Sequence, residues 1–290
     1  MTVNNIAIIG LGLIGGSIAA SVKSKFSSSN IVAFDVARDS LQYAKDAGII
    51  DKIADSIPEA ISNAELIIIA APISTYSDIL RKIQSVLQPD QVITDVASVK
   101  NTIINIAAKE LGDYICQFVP GHPLAGSDKS GIKAAMKNLF IGRKVLLTPL
   151  DITKIEALLT VTEFWEKLDA SVNTMLPDRH DKILTFTSHL PHLLAYVFMG
   201  IVQKSFNVQD ILENTGNGFK DFTRIAASDQ KLWTEICLAN SGYILGAIDS
   251  FEETLTEFKI AIKNGDQNKL IQEFGQASSM KQALNMAGEL

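Results

Sequence analysis

A glycine-rich turn near the start of the chain constrains its fold more than any other feature. Gly10, Gly12 and Gly15 have the spacing GxGxxG directly after the apolar segment Asn5–Ile9. In this motif the first glycine permits a tight turn after a strand, the second lets the backbone approach a pyrophosphate, and the third lets a helix pack against the strand. The chain is therefore predicted to begin with a strand, a phosphate-binding turn and a helix.

Short apolar segments, mostly β-branched, alternate with helix-patterned segments through the first half of the chain. The predicted strands are Asn5–Ile9, Ile31–Asp35, Leu66–Ala71, Val92–Asp95, Gln117–Val119 and Val145–Thr148, and the predicted helices are Ser17–Ser24, Ser40–Ala47, Tyr76–Val86 and Val99–Leu111. This alternation predicts an α/β fold, a Rossmann-type doubly wound parallel sheet with helices on both faces. A helix over Lys154–Leu168 and a strand over Ser171–Met175 complete a predicted dinucleotide-binding domain of residues 1–176.

After Pro177 the strand pattern disappears and apolar residues recur at helical spacing. The predicted helices are Asp178–Ser205, Gln209–Asn214, Gln230–Lys263 and Gln267–Met286, interrupted only at Gly216–Gly218 and Gly265–Asp266. Pro191 lies inside the first of them and is expected to break it. Helices that are apolar on all sides suggest burial against another subunit as well as within the chain. Residues 177–290 are therefore predicted to form an all-helical substrate and dimerisation domain of a homodimer.

Composition excludes several classes of function. The 26 basic and 32 acidic residues give a net charge of -6, without the basic stripe that nucleic acid or an anionic membrane requires. Cys116 and Cys237 have no CxxC spacing, so neither a disulfide framework nor a metal site is predicted. The apolar stretch Leu193–Val202 is too short to span a bilayer, and Met1–Asn5 lacks the basic region of a signal peptide. A cytoplasmic location is expected.

The predicted cofactor is NAD rather than NADP. Asp35 ends the second strand, where a carboxylate would accept hydrogen bonds from the ribose hydroxyls and repel a 2′-phosphate; a solvated strand-end carboxylate is the alternative. Arg38 lies close enough in sequence to pair with a 2′-phosphate instead. Phosphates would bind free N–H groups at the helix N-terminus, and the predicted strand Leu66–Ala71 would end beside the cofactor. The predicted cofactor-binding residues are Gly10, Gly12, Leu13, Ile14, Gly15, Asp35, Arg38, Ala71 and Pro72.

His122 is the candidate catalytic base. An imidazole has an unperturbed pKa of about 6.5, and a dehydrogenase needs a group that takes the hydroxyl proton while hydride leaves the same carbon. Because His122 lies within Gly121–Gly126, next to Pro123, it is predicted to occupy a shaped loop. Ser98 is a second candidate, beside the nicotinamide, although it could instead be an ordinary helix N-cap.

Three histidines and an arginine are candidates in the helical half. His180, His189 and His192 form a poor metal site, because only the last two have helical spacing and no acidic or thiol partner has ligand spacing. The alternative to a functional role is that these histidines are buried between packed helices, with their polar atoms hydrogen-bonded. Arg224 would either bind a carboxylate through two hydrogen bonds or pair with Asp221.

Five segments taken together resemble the prephenate and arogenate dehydrogenases of tyrosine biosynthesis, which include the cyclohexadienyl dehydrogenases. They are Gly10–Gly15, Asp95–Lys100, Gly121–Gly126, Ser188–His192 and Gly218–Ala226. The resemblance covers nearly the whole chain. It implies NAD-dependent oxidative decarboxylation of prephenate or arogenate to 4-hydroxyphenylpyruvate or tyrosine, and no motif distinguishes the two substrates.

The resemblance also implies roles for individual residues. His122 would be the base, and Ser98 would hold the substrate hydroxyl and the histidine together. His192 and Arg224 would hold carboxylates, with the arginine reaching in from the neighbouring subunit. The implied substrate-binding residues are His180, His189, His192, Arg224, Trp233 and Ser127, and Asp128 stands where some relatives have glutamate.

Two other functions remain open from sequence. One is another two-domain Rossmann dehydrogenase, of the β-hydroxyacid or imine reductase type. Those enzymes place a catalytic lysine or another group on the long helix after the nucleotide domain, whereas this chain has no lysine between Lys182 and Lys204. The other is a non-catalytic NAD(H) sensor, against which the intact His122, Ser98 and Arg224 argue.

Overall fold

A computed structural model describes residues 3–26, 28–126 and 129–288. The chain divides into two compact units, one ending at Ser241 and the other beginning at Gly242. The first unit therefore extends beyond residue 176, and a functional domain boundary at that position stays a prediction.

The first unit is built on a six-stranded parallel sheet of order β3-β2-β1-β4-β5-β6. Its strands are β1 (Asn5–Ile9), β2 (Asn30–Phe34), β3 (Lys52–Ile53), β4 (Leu66–Ile69), β5 (Val92–Asp95) and β6 (Phe118–Val119), and the helices between them are α1 (Leu13–Lys25), α2 (Arg38–Asp46), α3 (Ile57–Ile61), α4 (Tyr76–Gln84) and α5 (Asn101–Leu111). Alternate side chains of β1 enter two different cores: Ile6 and Ile8 pack on one face, and Ala7 and Ile9 on the other. The predicted doubly wound sheet is confirmed.

A second, three-stranded sheet follows the first. It contains β7 (Gly121–Pro123), β8 (Lys144–Leu147) and β9 (Ser171–Thr174), with helix α6 (Ile155–Lys167) between the last two. Strand β7 runs antiparallel to β8, and His122 pairs with Leu146. The expectation that His122 lies in a loop is therefore wrong. A Cβ at Gly121 would lie 2.9 Å from the Asp95 carbonyl oxygen, so the glycine serves a close approach to β5 rather than a flexible loop.

The rest of the first unit is helical. It comprises α7 (Pro177–Leu184), a π-helical turn (Thr185–His189), α8 (Leu190–Ser205), α9 (Val208–Asn214), α10 (Asn217–Thr223), a 3₁₀ turn (Arg224–Ala227) and α11 (Gln230–Ala239). The expected break at Pro191 is wrong, because the π-helical turn precedes the proline and adjusts the hydrogen bonding where the proline has no N–H. The interruption at Gly216–Gly218 is narrower than predicted, since α10 already begins at Asn217.

The second unit contains α13 (Gln267–Met286) and all of α12 (Ser241–Asn264) except its first residue. The predicted single helix over Gln230–Lys263 is instead divided at Asn240. Gly265 has a φ of +67°, as expected for the residue that ends a helix, and Asp266 caps α13 by accepting a hydrogen bond from the Lys269 N–H.

By length and composition alone, Pro177–Ser205 is apolar enough to cross a membrane, with a mean hydropathy of 1.2. This stretch includes His180, Asp181 and His189, which are buried and hydrogen-bonded within the first unit.

Candidate active site

The turn between β1 and α1 has the geometry of a dinucleotide-binding turn. Gly10 has a φ of +96°, and a Cβ there would lie 2.4 Å from the Ala70 carbonyl oxygen. A Cβ at Gly15 would lie 2.1 Å from the Gly10 carbonyl oxygen, so both positions exclude a side chain. A Cβ at Gly12 meets no atom within 4 Å, which leaves space beside the backbone. No side chain caps α1, so the N–H groups of its first turn, at Leu13 and Ile14, are available to phosphate oxygens.

Asp35 faces this turn from the end of β2. Its Oδ2 accepts a hydrogen bond from the Leu11 N–H at 2.6 Å, and its Oδ1 accepts one from the Ala37 N–H at 2.7 Å. The carboxylate keeps acceptor capacity for ribose hydroxyls, as NAD requires. Arg38 forms an exposed ion pair with Asp55 at 2.8 Å, a contact that costs little to break. The residues of the turn therefore fit a dinucleotide.

The end of β4 lies against the same turn. A Cβ at Gly10 would also be 3.0 Å from the Ala71 backbone nitrogen. After Pro72, the Ile73 N–H donates to Glu235 of α11 at 2.7 Å, and the Ser74 hydroxyl donates to the same carboxylate. Glu235 therefore ties the loop after β4 to the helix that carries Trp233.

His122, the candidate base, is the first member of a hydrogen-bonded chain of three side chains. It is only 8% exposed, and its Nδ1 lies 2.9 Å from His180 Nε2. The Nδ1 of His180 lies 2.8 Å from Asp181 Oδ1. Since a carboxylate only accepts, His180 Nδ1 carries a proton, and the neutral ring must accept at Nε2. His122 then donates from Nδ1, which leaves the lone pair on its Nε2 free to accept a proton.

The electrostatics of this chain keep His122 uncharged. Burial lowers the pKa of His122 well below its usual value, and the neighbouring His180, Lys100 and His189 lower it further. Burial likewise lowers the pKa of His180, although Asp181 opposes this effect. A neutral imidazole is the form that can act as a base.

Asp181 also holds the start of α5. Its two carboxylate oxygens accept hydrogen bonds from the Lys100 and Asn101 N–H groups, each at 2.8 Å. These bonds, together with that of His180, lower the pKa of Asp181 against the effect of burial. The alternative that Ser98 caps this helix is wrong, because the N-cap position is Lys100 and Asp181 supplies the capping oxygens. The Ser98 hydroxyl is half-buried and bonds to no other residue in the described part of the chain.

His189 lies in the π-helical turn beside this chain. Its Nδ1 accepts a hydrogen bond from the Asn240 side-chain amide at 3.0 Å, which places the proton of the neutral ring on Nε2. The same amide donates to Thr185 Oγ1 at 2.9 Å and to the Asp181 carbonyl at 3.3 Å. His189 Nε2 has no well-formed hydrogen bond, although the Ser98 carbonyl is close enough to raise the pKa slightly. Burial is the larger effect and lowers the pKa of His189 to about 4.

His192, Trp233 and Arg224 come together at the more open side. The rings of His192 and Trp233 stack with centroids 3.8 Å apart and planes inclined by 19°. His192 Nδ1 donates to the Ser188 carbonyl at 2.8 Å, so only Nε2 is available to a ligand. Burial and the charge of Arg224 lower the pKa of His192. Arg224 is exposed and forms no ion pair with Asp221 or any other carboxylate in the parts of the chain that are described.

Lys100 and Asp95 form a fully buried ion pair that sequence reasoning did not single out. Lys100 Nζ lies 2.7 Å from Asp95 Oδ2 and 2.6 Å from the Gly121 carbonyl oxygen. The Tyr76 hydroxyl donates to Asp95 at 3.2 Å, and burial beside that carboxylate raises the pKa of Tyr76 well above its usual value. The observation that marks Lys100 as unusual is that it has no accessible surface. Sequence reasoning missed it because a sequence motif does not show which residues are buried.

Asp181 and Asn240 were missed as well. Asp181 follows His180 directly, and an acid beside a candidate histidine was the available signal. Nothing in the sequence marks Asn240. Ser127 and Asp128 lie outside the described residues. Within the ranges described, no group of three or more His, Cys, Asp or Glu side chains is arranged to hold a metal ion.

Comparisons with known proteins identify the family to which the chain belongs. Residues 18–174 match the family described as prephenate dehydrogenase, nucleotide-binding domain, and residues 176–276 match prephenate dehydrogenase, dimerization domain. The chain is 32% identical to the cyclohexadienyl dehydrogenase of Zymomonas mobilis, over 98% of this chain and 97% of that protein. It is 31% identical to the prephenate dehydrogenase of Bacillus subtilis, over 97% of this chain and 76% of that protein.

A solved structure shows the same similarity. Prephenate dehydrogenase from A. aeolicus, in complex with hydroxyphenyl propionate and NAD+, superposes with a TM-score of 0.90 at 32% identity, covering 98% of this chain and 99% of that one. The two family matches together span most of the chain, and the most similar relatives align over nearly all of it. The chain belongs to the prephenate dehydrogenase family.

Proposed function

We propose that this chain is an NAD-dependent enzyme of tyrosine biosynthesis that oxidatively decarboxylates prephenate, arogenate or both. The observation that carries the proposal is the hydrogen-bonded chain Asp181–His180–His122, which leaves the Nε2 of a buried, neutral imidazole as a proton acceptor. The relatives that the chain matches are named cyclohexadienyl dehydrogenase and prephenate dehydrogenase. A cofactor-binding turn and a base on one unit are what such a reaction needs.

In the proposed mechanism, Ser98 and His122 hold the ring hydroxyl of the substrate. His122 Nε2 takes the hydroxyl proton as the carbon–oxygen bond gains double-bond character. The turn at Gly10–Gly15 and Asp35 would hold NAD, which would supply the acceptor for the hydride of that carbon. The bond to the ring carboxylate then breaks, CO2 leaves, and its electron pair makes the ring aromatic. His122 returns the proton to the phenolate oxygen, so the base is regenerated.

The carboxylates of the substrate would bind at the open side of the site, where Arg224 and His192 lie. Prephenate carries two carboxylates, on the ring and on the side chain. Arg224 has a guanidinium that no carboxylate of the described residues occupies, and it can form two parallel hydrogen bonds to one of them. His192 can offer Nε2 to a carboxylate only in its protonated form, because its Nδ1 proton is committed to Ser188. Trp233, stacked on His192, fixes the plane of that ring.

We assign His180 and His189 to positioning rather than to direct substrate contact. His180 has no exposed surface, and both of its ring nitrogens are engaged. His189 is 1% exposed and is held by Asn240. The hydrogen bond of His180 orients the ring of His122, and the buried ring of His189 packs beside the Ser98 carbonyl, so both histidines help to keep the base and the hydroxyl in place.

We further propose that the enzyme works as a homodimer in the cytoplasm. The family match over residues 176–276 is a dimerization domain. Large apolar side chains on the second unit are exposed, among them Leu255, Ile262, Ile271 and Phe274. A second copy would remove these side chains from water.

A cofactor-reduction assay tests the function. Purified protein is given NAD or NADP with prephenate, arogenate or a 3-hydroxy acid, and absorbance of the reduced cofactor is followed together with CO2 release. The proposal predicts that NAD is reduced with prephenate, arogenate or both, with one CO2 for each cofactor reduced. Reduction only with the 3-hydroxy acid, or with none of the three, would contradict it.

A further inference from the structure

The backbone of the residue before His122 is held on both of its polar atoms. The Gly121 N–H donates to Asp95 Oδ1 at 2.9 Å, and the Gly121 carbonyl accepts from Lys100 Nζ at 2.6 Å. The other oxygen of Asp95 accepts from Lys100 Nζ at 2.7 Å. The buried ion pair of Asp95 and Lys100 therefore hydrogen-bonds to both the N–H and the carbonyl of Gly121, the residue directly before the candidate base.

Lys100 also acts at the far end of the imidazole chain. Its backbone N–H donates to Asp181 Oδ1 at 2.8 Å, and that same oxygen is the partner of His180 Nδ1. The residue thus contacts both the strand that carries His122 and the carboxylate that orients His180. A shift of Lys100 would move the two ends of the chain relative to each other.

The charge of Lys100 bears on the base as well. The titratable groups that face His122 are His180 from α7, His189 from the π-helical turn and Lys100 at the start of α5, and each lowers the pKa of His122. Burial lowers the pKa of Lys100 itself, while Asp95 and Asp181 oppose this effect. Lys100 differs from the two histidines in that it carries an ammonium group, which forms a buried ion pair with the Asp95 carboxylate.

We propose that Lys100 is a positioning residue for the reaction, which fixes the backbone of Gly121 and thereby the ring of His122 without touching the substrate. The absence of accessible surface on Lys100 excludes direct contact with a ligand in this conformation. The inference rests on the proposed function, since it assigns Lys100 to the step in which His122 accepts a proton.

The test is Lys100→Met, which keeps an unbranched apolar stem and removes the ammonium group. With NAD and prephenate, kcat should fall by about tenfold or more, while KM for prephenate stays within about twofold of the wild-type value. The acid limb of the kcat–pH profile should move to higher pH, because a cation that disfavours the imidazolium form of His122 is gone. A kcat and an acid limb that both match the wild type would overturn the proposal.

Lys23→Met is the matched control. Lys23 also donates to a carboxylate, that of Asp51, and to a backbone carbonyl, that of Ser29, at 2.7 Å each, but at the far end of α1. This variant should keep the wild-type kcat and pH profile. If it shifted the profile as Lys100→Met does, the effect would follow from removing any lysine that bonds to a carboxylate and a backbone carbonyl, and the proposal would fail.

Two further measurements separate the possible failures. If Lys100→Met does not fold, the double variant Lys100→Met with Asp95→Asn leaves no unpaired buried carboxylate, and it should show the same loss of kcat.

The chain has four histidines, so the His122 ring can be followed by NMR without substrate or cofactor. Its titration should move to higher pH in Lys100→Met. If wild-type enzyme fails to oxidise prephenate or arogenate, the proposed function is wrong, whereas an unmoved titration would overturn the role of Lys100 alone.

Discussion

At the scale of residues, Arg224 differs from the buried histidines in that its charge is free to meet a ligand. No carboxylate of the described residues pairs with it, and its field lowers the pKa of His192 across the site. A guanidinium in that state binds a carboxylate in the ground state and in the transition state alike. Its contribution should therefore appear in substrate affinity.

Replacing Arg224 with alanine should raise KM for the carboxylate substrate by about 10- to 100-fold, the effect expected from loss of a charged hydrogen bond of about 1.5–3 kcal/mol, and leave kcat nearly unchanged. Steady-state kinetics with NAD at saturation checks this. Arg143→Ala is the control, because Arg143 is also exposed but precedes β8. A variant with wild-type KM and greatly reduced kcat would show that Arg224 acts on the chemistry instead.

Single residues were predictable from sequence where the motif itself carries the chemistry. The glycines of the first turn, Asp35 and His122 were singled out this way. The structure gives Gly10 and Gly15 the close contacts that the motif implies, and the roles of Asp35 and His122 stay predictions. The partner of His122 was not predictable, because His180 lies 58 positions away along the chain and only the fold brings the two rings within 2.9 Å. The role of Lys100 likewise depends on burial and on a contact across two strands.

At the scale of elements, the π-helical turn is the feature that shapes the site most. It allows the helical segment to continue through Pro191, and it places His189 against Asn240.

Buried neutral histidines make the stability of such a segment sensitive to acid. The unfolded chain takes up a proton near pH 6.5, whereas folded His189, with a pKa of about 4, does not.

The free energy of unfolding should therefore fall as the pH is lowered from 7 to 5, by about 2 kcal/mol through His189 alone. Urea unfolding at the two pH values measures this. His189→Gln retains an acceptor for Asn240 but does not titrate, so its stability should fall by about 2 kcal/mol less over the same range. Equal losses in the two proteins would mean that His189 is not held uncharged in the folded state.

Elements were predictable where the local pattern decides them, and less so where tertiary contacts do. The bounds of β1 and β5 agree with the prediction, because a continuous apolar run flanked by turn residues identifies a buried parallel strand. Strand β7 was missed because three residues that include a proline and a glycine have no strand pattern, and pairing with β8 alone makes them a strand. The continuation through Pro191 was missed because propensity alone opposes it.

At the scale of the whole molecule, the exposed apolar side chains of α12 and α13 support the proposed homodimer. Ile271 and Phe274 are 60% and 61% exposed and lie three residues apart, on one face of α13. Isolated exposed apolar residues are ordinary, but a series along a helix of a dimerization domain is not.

Sedimentation at micromolar concentration should accordingly show a dimer. The double variant Ile271→Asp with Phe274→Asp should shift it towards monomer, because burying unpaired carboxylates is costly. Gln276→Asp adds a charge to the same helix and should remain a dimer. A wild-type protein that sediments as a stable monomer would contradict the proposed dimer.

The central claim is that neutral His122 is the base of an oxidative decarboxylation. The most direct test is the pH dependence of kcat with NAD and prephenate or arogenate for wild-type enzyme and His122→Asn. Wild-type activity should be constant near pH 7 and fall on the acid side only below pH 6.5, because protonation of an imidazole with a lowered pKa removes the acceptor. His122→Asn should bind both ligands, lose a factor of about 10² to 10⁴ in kcat, and lack the acid limb. If the variant kept its kcat and the limb, and changed only KM, His122 would be a binding residue and the mechanism would be contradicted.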